Sequence, residues 1–344
     1  TRKTGINITD GICDACRFND FKINAIDWDA RNSQLYDLLS KYRKNDGTHD
    51  VLVPSSGGKD SSYTAFLLKH KYDMNPLCIT WAPNMFTDVG RHNLESLNSK
   101  GGLDSILYTP NGRLHRYLTK IAFTNLCHPF QPFIHGQKVI GPKLAAKFGI
   151  SLVVYGENQA EYGNPIENND NPFMDFEFFS SEEPRKMKFG GKSVAEIIEE
   201  TDFTFEDFSS YIPLSKDEIS TKSINMTYLG YFEKWDPQSI YYFVSENTGF
   251  KPAPERSEGT YSRYTEIDDK IVPFHFYTTF IKFGIGRATY DACQEIRNGH
   301  IDRAEAIQLV RKYDGEFPQK WLPDFLEYTS LSEDEFKEVI DRNR

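Results

Sequence analysis

Short apolar runs alternate with longer amphipathic stretches between residues 50 and 155 of this 344-residue chain. Asp50-Val51-Leu52-Val53-Pro54 is a compact apolar run of the kind a buried strand uses. Residues 61–71 place Tyr63, Ala65, Phe66, Leu67 and Leu68 on the apolar face of a predicted helix. Residues 76–81 form a second predicted strand, residues 89–98 a helix that stops before Gly101-Gly102, and residues 105–109 a third strand. Helices follow at 112–125 and 138–148, the second closed by Gly149. Residues 151–155 make a fourth strand, and residues 226–232 fit a fifth. Such alternation predicts an α/β fold: a doubly wound, parallel, five-stranded sheet with helices on both faces. Ligands of such sheets sit beyond the carboxyl ends of the strands. Segments 55–62, 81–92 and 156–164 are expected there.

The flanks have a different character. Residues 1–48 hold a Cys13-x-x-Cys16 turn and a helical pattern in Leu35, Leu38 and Leu39, which suggests a small amino-terminal segment. The sheet domain is expected over 49–235. It is interrupted at about 164–222 by a polar stretch containing Asn168-Asn169-Asp170-Asn171-Pro172, read as a long insertion. Residues 236–344 read as mainly helical, with capping-box patterns at Asp302…Glu305 and Ser332…Glu335.

Charge and cysteine content narrow the function classes. With 40 Lys and Arg against 50 Asp and Glu, the chain carries a net charge of −10. A protein that grips nucleic acid usually presents a basic face, so no nucleic-acid partner is expected. No run approaches the ~18 apolar residues of a membrane span, and no signal peptide is visible. Five cysteines, an odd number, argue against a disulfide framework and point to a reducing cytoplasm. The 26 Phe, 19 Tyr and 4 Trp supply a core and are also the stock from which a sugar-binding cleft is built.

Ser55-Ser56-Gly57-Gly58-Lys59-Asp60-Ser61-Ser62 lies between the first predicted strand and the first predicted helix. Such a turn offers backbone N–H groups and a positive helix end to an anion. Gly57 and Gly58 allow close approach, Ser56, Ser61 and Ser62 offer hydroxyls, Lys59 adds charge, and Asp60 is suited to Mg²⁺. The run is not a Walker A loop, because Lys59 is followed by Asp60. Gly190-Gly191-Lys192-Ser193 ends like one, but no strand precedes it and Lys186 stands where the first glycine belongs.

The loop resembles S-G-G-x-D-S, the fingerprint of the PP-loop ATP pyrophosphatases, which implies ATP and Mg²⁺ as cofactors and cleavage between the α and β phosphates. More of the chain resembles the N-acetyl sugar amidotransferase family of bacterial surface-polysaccharide and nonulosonic-acid pathways. The matching pieces are Gly11-Ile12-Cys13-Asp14-Ala15-Cys16, the loop, Cys127-His128-Pro129-Phe130 with His135-Gly136-Gln137, and Gly156-Glu157-Asn158 leading to Glu161-Tyr162-Gly163. Gly284-Ile285-Gly286-Arg287-Ala288-Thr289 and Arg297-Asn298-Gly299 with Arg303-Ala304-Glu305-Ala306 complete the set.

That resemblance implies conversion of an acetamido group to an acetamidino group by ammonia, through an adenylylated amide oxygen. It assigns Lys59, Asp60 and Glu157 catalytic roles. Ser55, Ser56, Gly57, Gly58, Ser61, Ser62, Trp81 and Gly156 would serve the nucleotide, with Asn84 near the adenine edge. Asn158, Glu161 and Tyr162 would line the sugar pocket. It further implies a separate glutaminase, with a cyclase-like companion, as the ammonia source. Cys13 and Cys16 would be half of a Zn²⁺ ribbon whose other Cys pair lies upstream of Thr1. Cys127 beside His128 is read as structural or pocket-lining, and Cys78 and Cys293 as core. The rival reading is a tRNA-thiolating PP-loop enzyme, which would want a basic RNA face and a reactive cysteine.

Overall fold

The computed structural model describes residues 7–162 and 171–344, the Tyr162 side chain excepted. A hairpin of β1 (Ile8–Thr9) and β2 (Ile12–Cys13) leads into helices α1 (Asp14–Asn24) and α2 (Trp28–Tyr42). Then follow β3 (Val51–Pro54), α3 (Lys59–His70), β4 (Pro76–Trp81), α4 (Asp88–Ser99), β5 (Asp104–Tyr108), α5 (Gly112–Leu126), α6 (Gln131–Phe148) and β6 (Leu152–Tyr155). Beyond Pro172 come the hairpin β7 (Lys188–Phe189) and β8 (Lys192–Ser193), α7 (Val194–Glu200), α8 (Lys216–Thr221), β9 (Asn225–Tyr228) and the short α9 (Leu229–Phe232). Six helices end the chain: α10 (Pro237–Asn247), α11 (Val272–Phe283), α12 (Arg287–Arg297), α13 (Arg303–Tyr313), α14 (Leu322–Thr329) and α15 (Glu333–Arg342).

The five-stranded sheet is parallel throughout, in the order β5-β4-β3-β6-β9. Leu52 is paired with Leu77 on one side and Val153 on the other. Successive side chains of a strand point to opposite faces, and this alternation builds two cores. Leu52, Leu77, Ile79, Trp81, Val153 and Met226 enter one, together with residues from α5, α6, α14 and α15. Val51, Val53, Cys78, Leu152 and Val154 enter the other, with residues from α2, α3 and α10. A strand buried on both faces reads as a continuous apolar run, which is why the runs at 51–53 and 152–154 stand out in the sequence. The chain winds from β3 outward to β5, then returns to the other side of β3 at β6. The loops after β3 and β6 therefore part from each other, and the crevice between them is a ligand position.

Several boundaries differ from expectation. Helix α3 begins at Lys59, so Lys59 and Asp60 belong to its first turn. The helix predicted from residue 138 starts at Gln131, with Pro132 in the first turn where its missing N–H is harmless, and it passes through Pro142. The fifth strand stops at Tyr228, and Leu229–Phe232 turns into helix. The described part of the predicted insertion contributes to the main core through Phe179, Phe189, Phe208, Tyr211 and Ile219. Its aromatics are spaced by 3₁₀ turns and short helices, so no long apolar run announces them. Gly190 and Gly191 form the turn between β7 and β8 with φ of +58° and +84°, and Ser193 caps α7.

Candidate active site

The sequence after β3 folds as it does because of packing against α4. Gly57 has φ +79°, and a Cβ there would lie 2.6 Å from the Leu94 backbone. Only glycine allows that approach. The Ser55 amide still bonds across to the Ile79 carbonyl at 2.8 Å, extending the sheet into the loop. Gly58 is the N-cap of α3 and supplies no side-chain cap. The first N–H groups of that helix are thus left for an anion. The Ser55 hydroxyl donates to Ser61 Oγ at 3.0 Å, and the Ser61 hydroxyl lies 3.2 Å from the Gly58 carbonyl.

The loop opens on a cleft of about 430 Å³ lined by residues 54–61 and by Trp81, Lys138, Glu157, Asp268, Arg287 and Gln294, among others. Lys59 is almost fully buried, and its Nζ donates to Asp60 Oδ1 at 2.6 Å. Glu157 follows β6, and Gln294 of α12 donates to its Oε1 at 2.9 Å. The outer wall is residues 264–268, a stretch with neither helix nor strand. It is fastened to α4: the Thr87 amide bonds to the Asp268 carbonyl at 3.0 Å, and a Cβ on Gly90 would meet Asp268 Cα at 2.5 Å. Asp269 turns inward and accepts from the amides of Asn84 at 2.6 Å and Ile271 at 2.8 Å. Asp268 then faces the loop, where it hydrogen-bonds the Ser56 side chain; burial pushes its carboxyl up and that bond draws it down. On the apolar wall Lys138 Nζ sits 3.5 Å from the Phe178 ring centroid, and burial lowers its pKa.

The residues expected from sequence divide into two groups. Ser55, Ser56, Gly57, Gly58, Lys59, Asp60, Ser61, Trp81 and Glu157 all line the cleft. Ser62 is buried within α3 and does not. Gly156 packs behind it: a Cβ there would meet Thr64 Oγ1 at 3.0 Å and Asp60 O at 3.2 Å. Asn84 Oδ1 is engaged with His115 Nε2 at 2.8 Å, away from the cleft. Asn158 is buried, and its Oδ1 accepts from the Ala160 amide at 3.0 Å. The Glu161 carboxylate also lies away from the cleft, paired with Lys22 Nζ of α1 at 2.8 and 3.0 Å. Burial pushes the Glu161 carboxyl up while Lys22 pulls it down. The Tyr162 side chain lies outside the described residues. Sequence reasoning missed Lys138, Asp268 and Gln294. Lys138 directly follows the His135-Gly136-Gln137 piece. Asp268 and Gln294 had no local signal.

Cys13 and Cys16 are free, one half-buried at the N-cap of α1 and one exposed. Among the described residues no three His, Cys, Asp or Glu side chains are grouped to hold a metal. Two thiols do not make the four-ligand set of a structural zinc site, so the residues present do not fit one. Cys293, expected in the core, is exposed on α12. Cys127 is buried in the left-handed C-cap of α5, and burial pushes its thiol up to about 11, which removes nucleophilic character. No helix among the described residues is long and apolar enough to cross a membrane.

Comparison with known proteins gives one family match. Residues 258–344 match the family model described as LPS biosynthesis protein WbpG-like, C-terminal domain. That span contains Thr265, Glu266, Asp268, Arg287 and Gln294 of the cleft. No curated protein matches the chain. Among solved structures, the chain is similar to the NMN synthetase from Francisella tularensis, at 14% identity and TM-score 0.38, covering 89% of this chain and 98% of that one. It is also similar to the NH3-dependent NAD synthetase from Campylobacter jejuni in complex with the nitrate ion, at 13% identity and TM-score 0.35, covering 83% and 95%.

Proposed function

We propose that this chain is an ATP-consuming amidotransferase of bacterial surface-glycan biosynthesis, which converts the acetamido group of an N-acetyl sugar to an acetamidino group. One observation carries the reading. The glycine loop at the start of α3, the Glu157 carboxylate and residues of the span matching a lipopolysaccharide-biosynthesis domain face a single cleft.

The chemistry follows from what those groups can do. An amide carbonyl is a poor electrophile, and its oxygen is a poor leaving group. Attack of that oxygen on the α-phosphorus of ATP forms a new O–P bond and expels pyrophosphate toward the N–H groups of α3, the Ser56 and Ser61 hydroxyls and the Lys59 ammonium. Ammonia then adds to the activated carbon, gives up a proton, and AMP departs with the former amide oxygen. Glu157, oriented by Gln294, is the base that takes that proton. Asp60 and Asp268, two carboxylates on the same cleft, fit a Mg²⁺ held by one or two protein carboxylates, which would neutralise phosphate charge. Most of the rate enhancement is positioning and charge stabilisation. Among the described residues lining the cleft there is no cysteine, and ammonia rather than a sulfur carrier suits such a site. The separate glutaminase, with its cyclase-like companion, belongs to this proposal as the ammonia source.

The test is a product assay. Protein, ATP, Mg²⁺, ammonium and N-acetyl sugars should yield AMP, pyrophosphate and a sugar lighter by about one mass unit, as O is replaced by NH. Asp60→Ala should abolish turnover while leaving the circular dichroism spectrum unchanged. ADP and phosphate as products would sink the adenylylation reading.

A further inference from the structure

A second cavity, of about 660 Å³, lies on the other side of the Lys59 side chain, within the carboxy-terminal helices. Lys59, Tyr264, Thr265 and Gln294 line both cavities, so the two meet at the phosphate-loop lysine and at the residue that holds Glu157. We infer that this second cavity, and not the remainder of the nucleotide cleft, receives the acceptor, and that its ligand is a polyhydroxylated ring. The inference rests on the proposed amidotransferase reading and names the place of its substrate.

Space is the first argument. Ligand pockets run from about 300 to 1,000 Å³, so the 430 Å³ cleft is sized for one ligand of nucleotide dimensions. A two-substrate reaction then needs a neighbouring site that touches the first at the reacting atoms. The shared wall of Lys59 and Gln294 is such a contact.

The lining gives the ligand class. Tyr241 and Tyr264 stack with centroids 4.3 Å apart and planes 12° apart, a rigid aromatic platform of the kind that holds the apolar face of a sugar ring. Carboxylates surround it. Glu295 accepts from His300 at 2.6 Å and from the Tyr264 hydroxyl at 3.4 Å. Asp291 is ion-paired with Arg287 at 3.0 Å and accepts from the Thr260 hydroxyl. A carboxylate has about four acceptor positions, so both can still receive ligand hydroxyls. Tyr261 also lines the cavity, and its hydroxyl is buried without a hydrogen-bond partner among the described residues. A buried phenol left unpaired is costly, and a ligand hydroxyl or acetamido oxygen would satisfy it. Glu305 adds a further negative charge to the lining. Lys59 and Arg263 also line the cavity, so its charge is mixed, and the ring of a free or a nucleotide-linked sugar would lie among the carboxylates and tyrosines.

The test separates site from function. Acceptor KM and nucleotide Kd would be measured for the full chain and for Tyr241→Ala and Tyr261→Phe, using free N-acetylglucosamine and UDP-N-acetylglucosamine as probes. Saturation-transfer NMR would report binding independently of turnover. We expect acceptor KM or Kd to rise roughly tenfold for Tyr241→Ala and roughly fivefold for Tyr261→Phe, with nucleotide Kd unchanged. Tyr261→Phe removes one oxygen only and guards against a folding defect in the other variant. Turnover with unchanged acceptor KM in both variants, together with a raised KM in Phe178→Ala on the cleft's apolar wall, would overturn the site and leave the function standing. Sugar binding that both variants weaken, without AMP formation, would support the site and sink the reaction. Absence of binding by either probe would overturn the inference.

Discussion

Gln294 of α12 donates its Nε2 hydrogen to Glu157 Oε1 at 2.9 Å, joining the carboxy-terminal helices to the end of strand β6. The two residues are 137 positions apart. If Glu157 is the base, Glu157→Gln should lower kcat by about 10²- to 10⁴-fold. Gln294 acts through Glu157 and is a positioning residue. Gln294→Ala should lower kcat by roughly tenfold and move the acid limb of the pH–rate profile upward, because loss of a donor disfavours the carboxylate. An unchanged profile would assign Gln294 a purely structural role.

Gly57 and Gly58 are adjacent and should respond differently to alanine. At Gly57 φ is +79° and a Cβ would meet the Leu94 backbone at 2.6 Å. Gly57→Ala is expected to lose at least about 1–3 kcal/mol by denaturant titration. At Gly58 the nearest group is the tip of Ser56 at 3.2 Å. Gly58→Ala should keep its melting temperature and weaken ATP binding, since the methyl group occupies the approach to the helix end.

Lys22 and Glu161 form an ion pair with side chains only 2% and 6% exposed. Lys22 also donates to the Trp235 carbonyl at 3.1 Å. Removing either partner leaves a buried charge uncompensated, so Lys22→Ala or Glu161→Ala should each cost about 3–5 kcal/mol in urea unfolding. Replacing both by Met and Leu should recover most of that loss. A small effect of either single change would mean that water reaches the site.

Burial holds His115 and His128 far below the ordinary histidine value of 6.5, each at about 4. Their depressed folded pKa values mean that the unfolded chain binds more protons between these limits. The stabilisation they give as neutral rings is complete above pH 6.5 and is lost as pH falls toward 4. Each contributes on the order of 3 kcal/mol across that window. The melting temperature should therefore fall steeply from pH 6.5 to 4.5, and less steeply in His128→Asn. A flat profile would contradict their burial.

Patterns local in the chain were legible in the sequence. The strand runs, the glycine loop and the cap at Ser332 depend on neighbours within a few residues, so periodicity and turn chemistry expose them. The two-sided burial of β3 and β6 shows as unbroken apolar runs for the same reason. Long-range relationships were not legible. Asp268 faces the loop only because Gly90 lets its backbone lie against α4. Glu161 and Asn158 looked like pocket residues beside Glu157, yet the turn after β6 directs one to Lys22 and the other to its own backbone. Cys293 sits on a helical pattern that suggested the core, yet the packing of α12 leaves it exposed.

The sequence by itself determined the sheet, its helices and the loop that can hold phosphate, because those rest on backbone sterics and the period of apolar residues. The tertiary structure alone decided which distant groups share the cleft. Gln294, Asp268 and Lys138 reach it through packing between elements far apart in the chain, and one sequence carries no local mark of such contacts.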